Sequence, residues 1–398
     1  MEILSKSLEG IRVLDFTRVL AGPFCTMVLG DLGAEVLKVE KPSTGDDSRS
    51  FGPYEGGESA YFMSINRNKK SMTLNLKDPE SVKLIKEMIP HFDVLVENFR
   101  PGVMKKLGLS YEELSEINPK LVYASSCGFG QTGPYSSLPA YDLILQGMGG
   151  IMSITGMDAE HPTKVGSSIA DIFAGVFCAI GILAALRHRE KTGKGQQVDI
   201  SMLDCQVAIL ENAIARYFVN GESPEPMGNR HPSISPFATF HTSDGFLNIA
   251  VGNDAIWKRF CGLIGREELV EDPRFVSNEA RNDSFDELKG ILDGIIAEDS
   301  TDSWIERLRE AKVPCGPINN IGDVVNDPQV LHREMILDVD HPTVGSTKIP
   351  GSPIKMSETS GAVYKAAPVL GEDLMEVLSS LLGKSESEIE ELKNKGIF

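Results

Sequence analysis

The sequence predicts an α/β fold, with a Rossmann-like layer around a parallel sheet and a second, smaller unit after it. Three observations predict it. The first 130 residues alternate buried strand-like runs with helix-like runs, the pattern of parallel βαβ units. At 398 residues the chain is too long for one ordinary core. Two stretches rich in proline and glycine, near 220–236 and 314–330, bracket residues 237–320 and read as crossings between units.

Each element follows from its residues. "IRVLDF" (Ile11–Phe16) has the composition of a buried strand, and the helix-like "PFCTMVLGDLG" after it has Gly30 and Gly33 near its end. "AEVLKVE" (Ala34–Glu40) and "SMTLNL" (Ser71–Leu76) are the next strands. "DPESVKLIKEMIPHF" opens a helix, with Asp78 as N-cap, Pro79 at the first helical position and Glu80 in the first turn. "DVLVENF" is a strand, 103–117 a polar helical region and "KLVYASS" a strand. "CGFGQTGPYSSLPAYD" is a loop, and "LILQGMGGIMSITG" is apolar and glycine-rich. There Gly149 and Gly150 fit either a mobile cover with backbone donors or a tight turn. Next come "VGSSIADIFAGVFCAIGILAALRHR" (Val165–Arg189), a basic turn, the strand "QVDISML" and a helix from about Leu203 to Phe218. Residues 237–320 carry the strands of "FATFHTSDGFLNIAVG" and amphipathic helices around "AIWKRFCGLIG" and "SFDELKGILDGIIAE". Ser385 and Glu388 form a capping-box pattern before a final helix.

The net charge of −18 argues against nucleic acid, whose phosphates need a basic face. Residues 1–110 are electroneutral, with 15 basic and 15 acidic side chains; a polyanionic small ligand, if there is one, would sooner meet this part of the chain, but taken alone the balance reads as ordinary surface variation. The six cysteines are scattered without a CxxC, and no apolar h-region precedes the first strand; the expectation is a reduced, cytoplasmic protein. Residues 169–186 reach the length of a membrane span, but Asp171 and many small residues interrupt them, so a buried core helix is expected and no membrane partner. The histidines show no metal-ligand spacing, and no metal is expected. The loop after the first strand, "TRVLAGPF", lacks GxGxxG, although Glu40 could imitate a ribose-binding acid, which keeps an NAD-dependent oxidoreductase as an alternative.

Asp171 has two readings. Ser168-x-x-Asp171 matches a capping box, in which the carboxylate only satisfies a backbone N–H. The same position suits a nucleophile: the helix dipole favours the anion, and apolar neighbours strip its water. Spacing alone does not choose between them.

Several blocks, in order, carry a resemblance. "VLDFTRVLAGPFCTMVLGDLGAEVLKVEKP", "GDDSR", "NRNKKSMTLNLK", "VENFRPG", "SIADIFAG", "GKGQQVDISMLD" and "PCGPINN" resemble the class III CoA-transferases, the family of carnitine and bile-acid CoA-transferases, over essentially the whole chain. The N-terminal blocks and "PQVLHREMILDVDHPTVG" are most similar to the succinate–hydroxymethylglutarate branch. The formyl-CoA:oxalate branch has a glutamine where Leu20 stands and a glycine-rich loop in the smaller domain, and both are missing here, so the resemblance points away from oxalate.

The resemblance implies transfer of coenzyme A from an acyl-CoA donor, such as succinyl-CoA, to a short dicarboxylate or branched acid, with Asp171 as the catalytic nucleophile and no tightly bound cofactor. A non-catalytic CoA-binding protein is the other alternative, and Asp171 in its motif counts against it. The implied coenzyme A site comprises Arg18, Leu20, Ala21, Lys41, Leu74, Asn75, Leu76, Lys77, Asn98, Phe99, Arg100, Lys106, Leu138, Pro139, Ala140 and Tyr141. Arg18 could meet coenzyme A or a distal carboxylate, and His231 is a weaker candidate. The implied architecture is a large domain with a parallel sheet built from both chain ends (1–219 and 331–398), linkers at 220–236 and 321–330, and a small α+β domain at 237–320. Two such subunits would form an interlocked homodimer.

Overall fold

The run Ile11–Phe16 forms strand β1 (Arg12–Asp15), and the structure, a computed structural model describing residues 6–398, builds a parallel sheet outward from it. The other strands are β2 (Glu35–Glu40), β3 (Lys69–Thr73), β4 (Val94–Glu97), β5 (Val122–Cys127) and β6 (Gln197–Ser201). Their order is β3-β2-β1-β4-β5-β6, and every neighbouring pair is parallel. Strand addition therefore reverses between β1 and β4, the switch point at which open α/β sheets bind ligands. Strand periodicity divides the apolar residues between two faces. Leu14, Phe16, Leu37, Val39 and Leu95 enter one core, while Val13, Val36, Val94 and Val96 enter the other. Cores on both faces explain why these strands read as near-continuous apolar runs.

The helices around this sheet are α1 (Ala21–Asp31), α2 (Ala60–Ile65), α3 (Pro79–Met88), α4 (Val103–Lys106), α5 (Tyr111–Ile117), α6 (Asp142–Met148), α7 (Ile169–Thr192), α8 (Met202–Ala208) and α9 (Glu211–Asn220). Asp78 caps α3 as read from the sequence. The polar region 103–117 is two helices, because Gly108 takes φ 72° and Ser110 caps α5 afresh with a capping box. The helix expected over 203–218 is likewise broken, at Ile209–Leu210. Strand β3 starts at Lys69 and stops at Thr73, short of the expected Leu76.

Chain contacts divide the protein into two compact units. One takes the chain up to Ile151, Lys164–Gly221 and Pro328–Phe398; the other takes Met152–Thr163 and Glu222–Asp327. The first unit takes both chain ends, as expected of the large domain, but the sheet itself does not: all six strands of the parallel sheet lie within residues 12–201. The C-terminal end joins the first unit as a hairpin (Ile336–His341 with Gly345–Pro350) and two helices, Leu374–Leu382 and Glu386–Asn394. Those helices are amphipathic and cover an apolar sheet face, which an open sheet requires. Val377, Leu378, Ile389 and Ile397 enter the same core as Leu14 and Leu37. The Ser385–Glu388 capping box is formed.

The second unit has an antiparallel three-stranded sheet in the order Cys315–Pro317, Phe246–Ala250, Phe237–His241. Helices Asp254–Leu263, Phe285–Ile296 and Thr301–Glu310 close its own core around Phe240, Trp257, Phe260, Leu288 and Trp304.

Candidate active site

Helix α7 is long and apolar enough to cross a membrane by length and composition, yet it packs against α1, α6, α8, β5 and β6. Small residues allow the close approach: a Cβ on Gly175 would lie 2.7 Å from the Ala21 carbonyl oxygen and 3.1 Å from Phe24 Cβ. Asp171 sits one turn earlier, half-buried in the first turn of α7. The backbone N–H of Ala21 faces its carboxylate and favours the anion. Both polar groups of Ala21 thus lie against one side of α7, near Asp171 and Gly175.

The capping-box reading of Asp171 is overturned. Ser168 makes no side-chain cap bond, and the Ala170 N–H donates to Asp142 Oδ1 instead, at 3.0 Å. Asp142 opens α6, and Gln146 Nε2, one turn on, donates to its other oxygen at 2.7 Å. Gln146 also accepts from the Val165 N–H at 2.8 Å, so α6 ties down the approach to α7. Asp171 is left free to face a cavity. The expectation that the helix start keeps it ionised is also reversed: burial, then the neighbouring Asp142 charge, push its pKa up to about 7 against the Ala21 N–H.

That cavity, of about 180 Å³, lies at the switch point, between the loops that follow β1 and β4. Arg18, Leu20, Ala21, Asn98, Phe99, Arg100, Leu138, Pro139, Ala140 and Tyr141 line it together with Asp171. A second cavity of about 420 Å³ adjoins it, sharing Arg18, Asp47 and Phe99, and is lined by Lys41, Leu74, Asn75, Leu76 and Lys77. Of the residues expected at a coenzyme A site, Lys106 alone lines neither cavity. It is exposed on α4, whose neighbours Val103 and Leu107 face the larger one. Glu40 does not serve a ribose, because Arg49 holds it through two bonds at 2.7 and 2.8 Å and Ser71 Oγ through a third at 2.6 Å. Gly149 serves packing: a Cβ there would lie 2.5 Å from Gln206 Cβ. His231 belongs to the second unit, where its Nδ1 accepts from the Ser233 N–H at 3.0 Å.

Sequence reasoning missed four supporting residues. Asp142 is one, acting across 28 residues of chain. Glu97, buried at the end of β4, accepts from the Phe99 N–H at 2.7 Å and is pushed up to about 7, chiefly by burial. Tyr61, on α2, keeps its hydroxyl proton up to about 12, through burial and the charges of Asp171, Asp46 and Asp142. Asp46 binds the loop after β1. Only Asp46 and Glu97 lie inside the quoted blocks, and no local pattern marks the others.

Comparison with known proteins places this geometry. The chain matches the model of CoA-transferase family III over residues 8–374. It is 42% identical over 394 residues to the succinyl-CoA:glutarate CoA-transferase of Mus musculus, covering 99% of this chain and 90% of that one. It is 45% identical over 350 residues to the acetyl-CoA:oxalate CoA-transferase of Acetobacter aceti, covering 88% and 89%. A CAIB/BAIF family protein from Brucella suis has a crystal structure that superposes with a TM-score of 0.85 at 39% identity, over 95% of this chain and all of that one. The family match over residues 8–374 and relatives aligned along most of the chain lead to one assignment: the chain belongs to CoA-transferase family III and is an enzyme of the CoA-transferase type.

Proposed function

We propose that the enzyme moves coenzyme A from succinyl-CoA, or a similar short acyl-CoA, to a short dicarboxylate or branched acid, with Asp171 as nucleophile. The observation that carries this reading is the exposure of the Asp171 carboxylate to a cavity lined by the expected coenzyme A residues. The nucleotide end occupies the larger cavity, where Lys41 and Lys77 suit its phosphates, and the thioester reaches Asp171 through the smaller one.

In the first step an Asp171 oxygen attacks the donor carbonyl, the C–S bond breaks, and CoA thiolate leaves a mixed anhydride. The thiolate then attacks the aspartyl carbonyl, the donor acid departs as carboxylate, and an aspartyl-CoA thioester remains. The acceptor carboxylate attacks that thioester, and the freed thiolate takes up the acceptor acyl group and regenerates Asp171. One thioester is exchanged for another throughout. Both intermediates would hydrolyse in water, which accounts for burying the nucleophile among apolar residues.

The dicarboxylate preference rests on the succinyl-CoA:glutarate relative, and the oxalate-named relative makes oxalate the competing acceptor to be measured. A matrix of acyl-CoA donors against carboxylic acids, read by mass spectrometry, tests substrate choice. Trapping the enzyme with hydroxylamine in the presence of donor tests the nucleophile. Modification of the Asp171 peptide, and loss of transfer in a folded Asp171→Ala variant, are expected; near-normal turnover by that variant rejects the mechanism.

A further inference from the structure

The loop between β1 and α1 carries Leu20 and Ala21 to the nucleophile, and it is held in an unfavourable conformation. Val19 has φ 67°, in the left-handed region that a β-branched residue avoids. Something must hold it there. The Thr17 carbonyl accepts from Lys38 Nζ at 2.7 Å. Arg18 gives its N–H to Asn98 Oδ1 at 2.9 Å and receives Asn98 Nδ2 on its carbonyl at 2.8 Å. The Val19 N–H donates to Asp46 Oδ1 at 3.0 Å. The same oxygen takes the Ser48 N–H and hydroxyl at 2.9 and 2.8 Å, and Asp46 Oδ2 lies 2.8 Å from Lys38 Nζ. Lys38 and Asp46 are both buried, so the ion pair that grips Thr17 and Val19 is shielded from solvent.

We propose that Lys38 and Asp46 are positioning residues: their buried ion pair enforces the Val19 kink and so aims the Ala21 N–H at the Asp171 carboxylate. This rests on the reading of Asp171 as nucleophile. The aspartyl carbonyl is attacked in the thioester-forming step, and negative charge then develops on the oxygen that Asp171 retains. A backbone N–H already facing that carboxylate is a preorganised donor for the charge, with little reorganisation needed as it forms.

The test replaces Asp46 with Ala, which removes the acceptor of the Val19 N–H. The pair Lys38→Met with Asp46→Ala does the same without leaving a lone buried ammonium, and it serves where the single variant does not fold. Either change should lower kcat by roughly 10²-fold, the scale of losing one preorganised donor, with a smaller change in KM for acyl-CoA. Adding Val19→Gly should restore much of the loss, because glycine holds this φ without help.

Loss of the Ala21 N–H should also raise the pKa of Asp171. The other titratable and charged groups that face it are Asp142 on α6, the Tyr61 hydroxyl on α2, and Arg18, Asp47 and Arg100 around the cavity; Arg18 and Asp47 adjoin the altered segments, so the Val19→Gly reversal is what ties a shift to the loop. Carbodiimide labelling of Asp171 against pH, read on its peptide by mass spectrometry, measures that shift without turnover. An upward shift reversed by Val19→Gly supports the lock, even if no form of the enzyme transfers CoA and the nucleophile reading fails. A folded variant with the wild-type labelling midpoint and kcat, or one that Val19→Gly does not restore, overturns it.

Discussion

At the scale of single residues, proton affinity sets what the site can do. As the proposed nucleophile, Asp171 must be an anion to attack, and its pKa is pushed up to about 7. The rate of the first half-reaction should therefore rise with pH, by about tenfold per unit below that value, and level off above it. The stability effect has the opposite sense. Between the ordinary carboxyl range and about 7, the folded chain keeps a proton on Asp171 that the unfolded chain releases. This group's contribution is present at low pH and is lost as pH rises through about 7. Asp142→Asn keeps an oxygen for the Ala170 N–H and removes the charge, so the acid limb of kcat/KM should move to lower pH. An unmoved limb would show that burial alone sets the value. Two lysines separate in the same way. Lys77→Ala should raise KM for acyl-CoA about 10-fold, the loss of one charge-assisted contact, whereas Lys106→Ala, outside both cavities, should leave it unchanged. Asp171 was legible because a motif surrounds it. Asp142 was not, because its partnership with the α7 start joins residues that nothing in the local sequence connects.

At the scale of elements, α7 shows why composition misleads. Its apolar run reads equally as a membrane span or a core helix, and the small residues decide between them. Ala170, Ala174, Cys178 and Ala185 are buried where large side chains would keep α1 away. Gly175 is the tightest of these positions. Gly175→Ala should shift either Ala21 or Phe24, lowering stability by roughly 1–3 kcal/mol as overpacking does. It should lower kcat as well, because Ala21 carries the N–H that faces Asp171. Thermal melts and half-reaction rates check both; a variant with wild-type values in each would mean that α7 tolerates a wider gap. The strands were readable from their apolar runs, and so was the α3 start from Asp78 and Pro79. The break between α8 and α9 was not, since neither glycine nor proline marks residues 209–210.

At the scale of the molecule, we expect the interlocked homodimer that the family resemblance implies. Helix α9 supports it: no residue of α9 is buried in the single chain, and Phe218 and Val219 are 79% and 84% exposed. Threaded subunits separate only by unfolding, so two differently tagged preparations should form no hybrids over hours when mixed native, and should form them after refolding. Rapid native exchange would rule the topology out. The order of the sheet's elements was legible from the first 201 residues, and the resemblance put the tail in the same domain; what the tail contributes to the core was not legible, because its helices resemble any amphipathic helices until the face they cover is known. That contribution has a consequence for biosynthesis. The sheet is complete at Ser201, yet one of its cores still lacks Val377, Leu378, Ile389 and Ile397. A ribosome must translate past residue 377 before that face begins to be sealed, and to residue 397 before all four side chains are in place. Until then the nascent chain displays an uncovered apolar surface to chaperones and proteases, and a stop codon at residue 374 would strand it in that state.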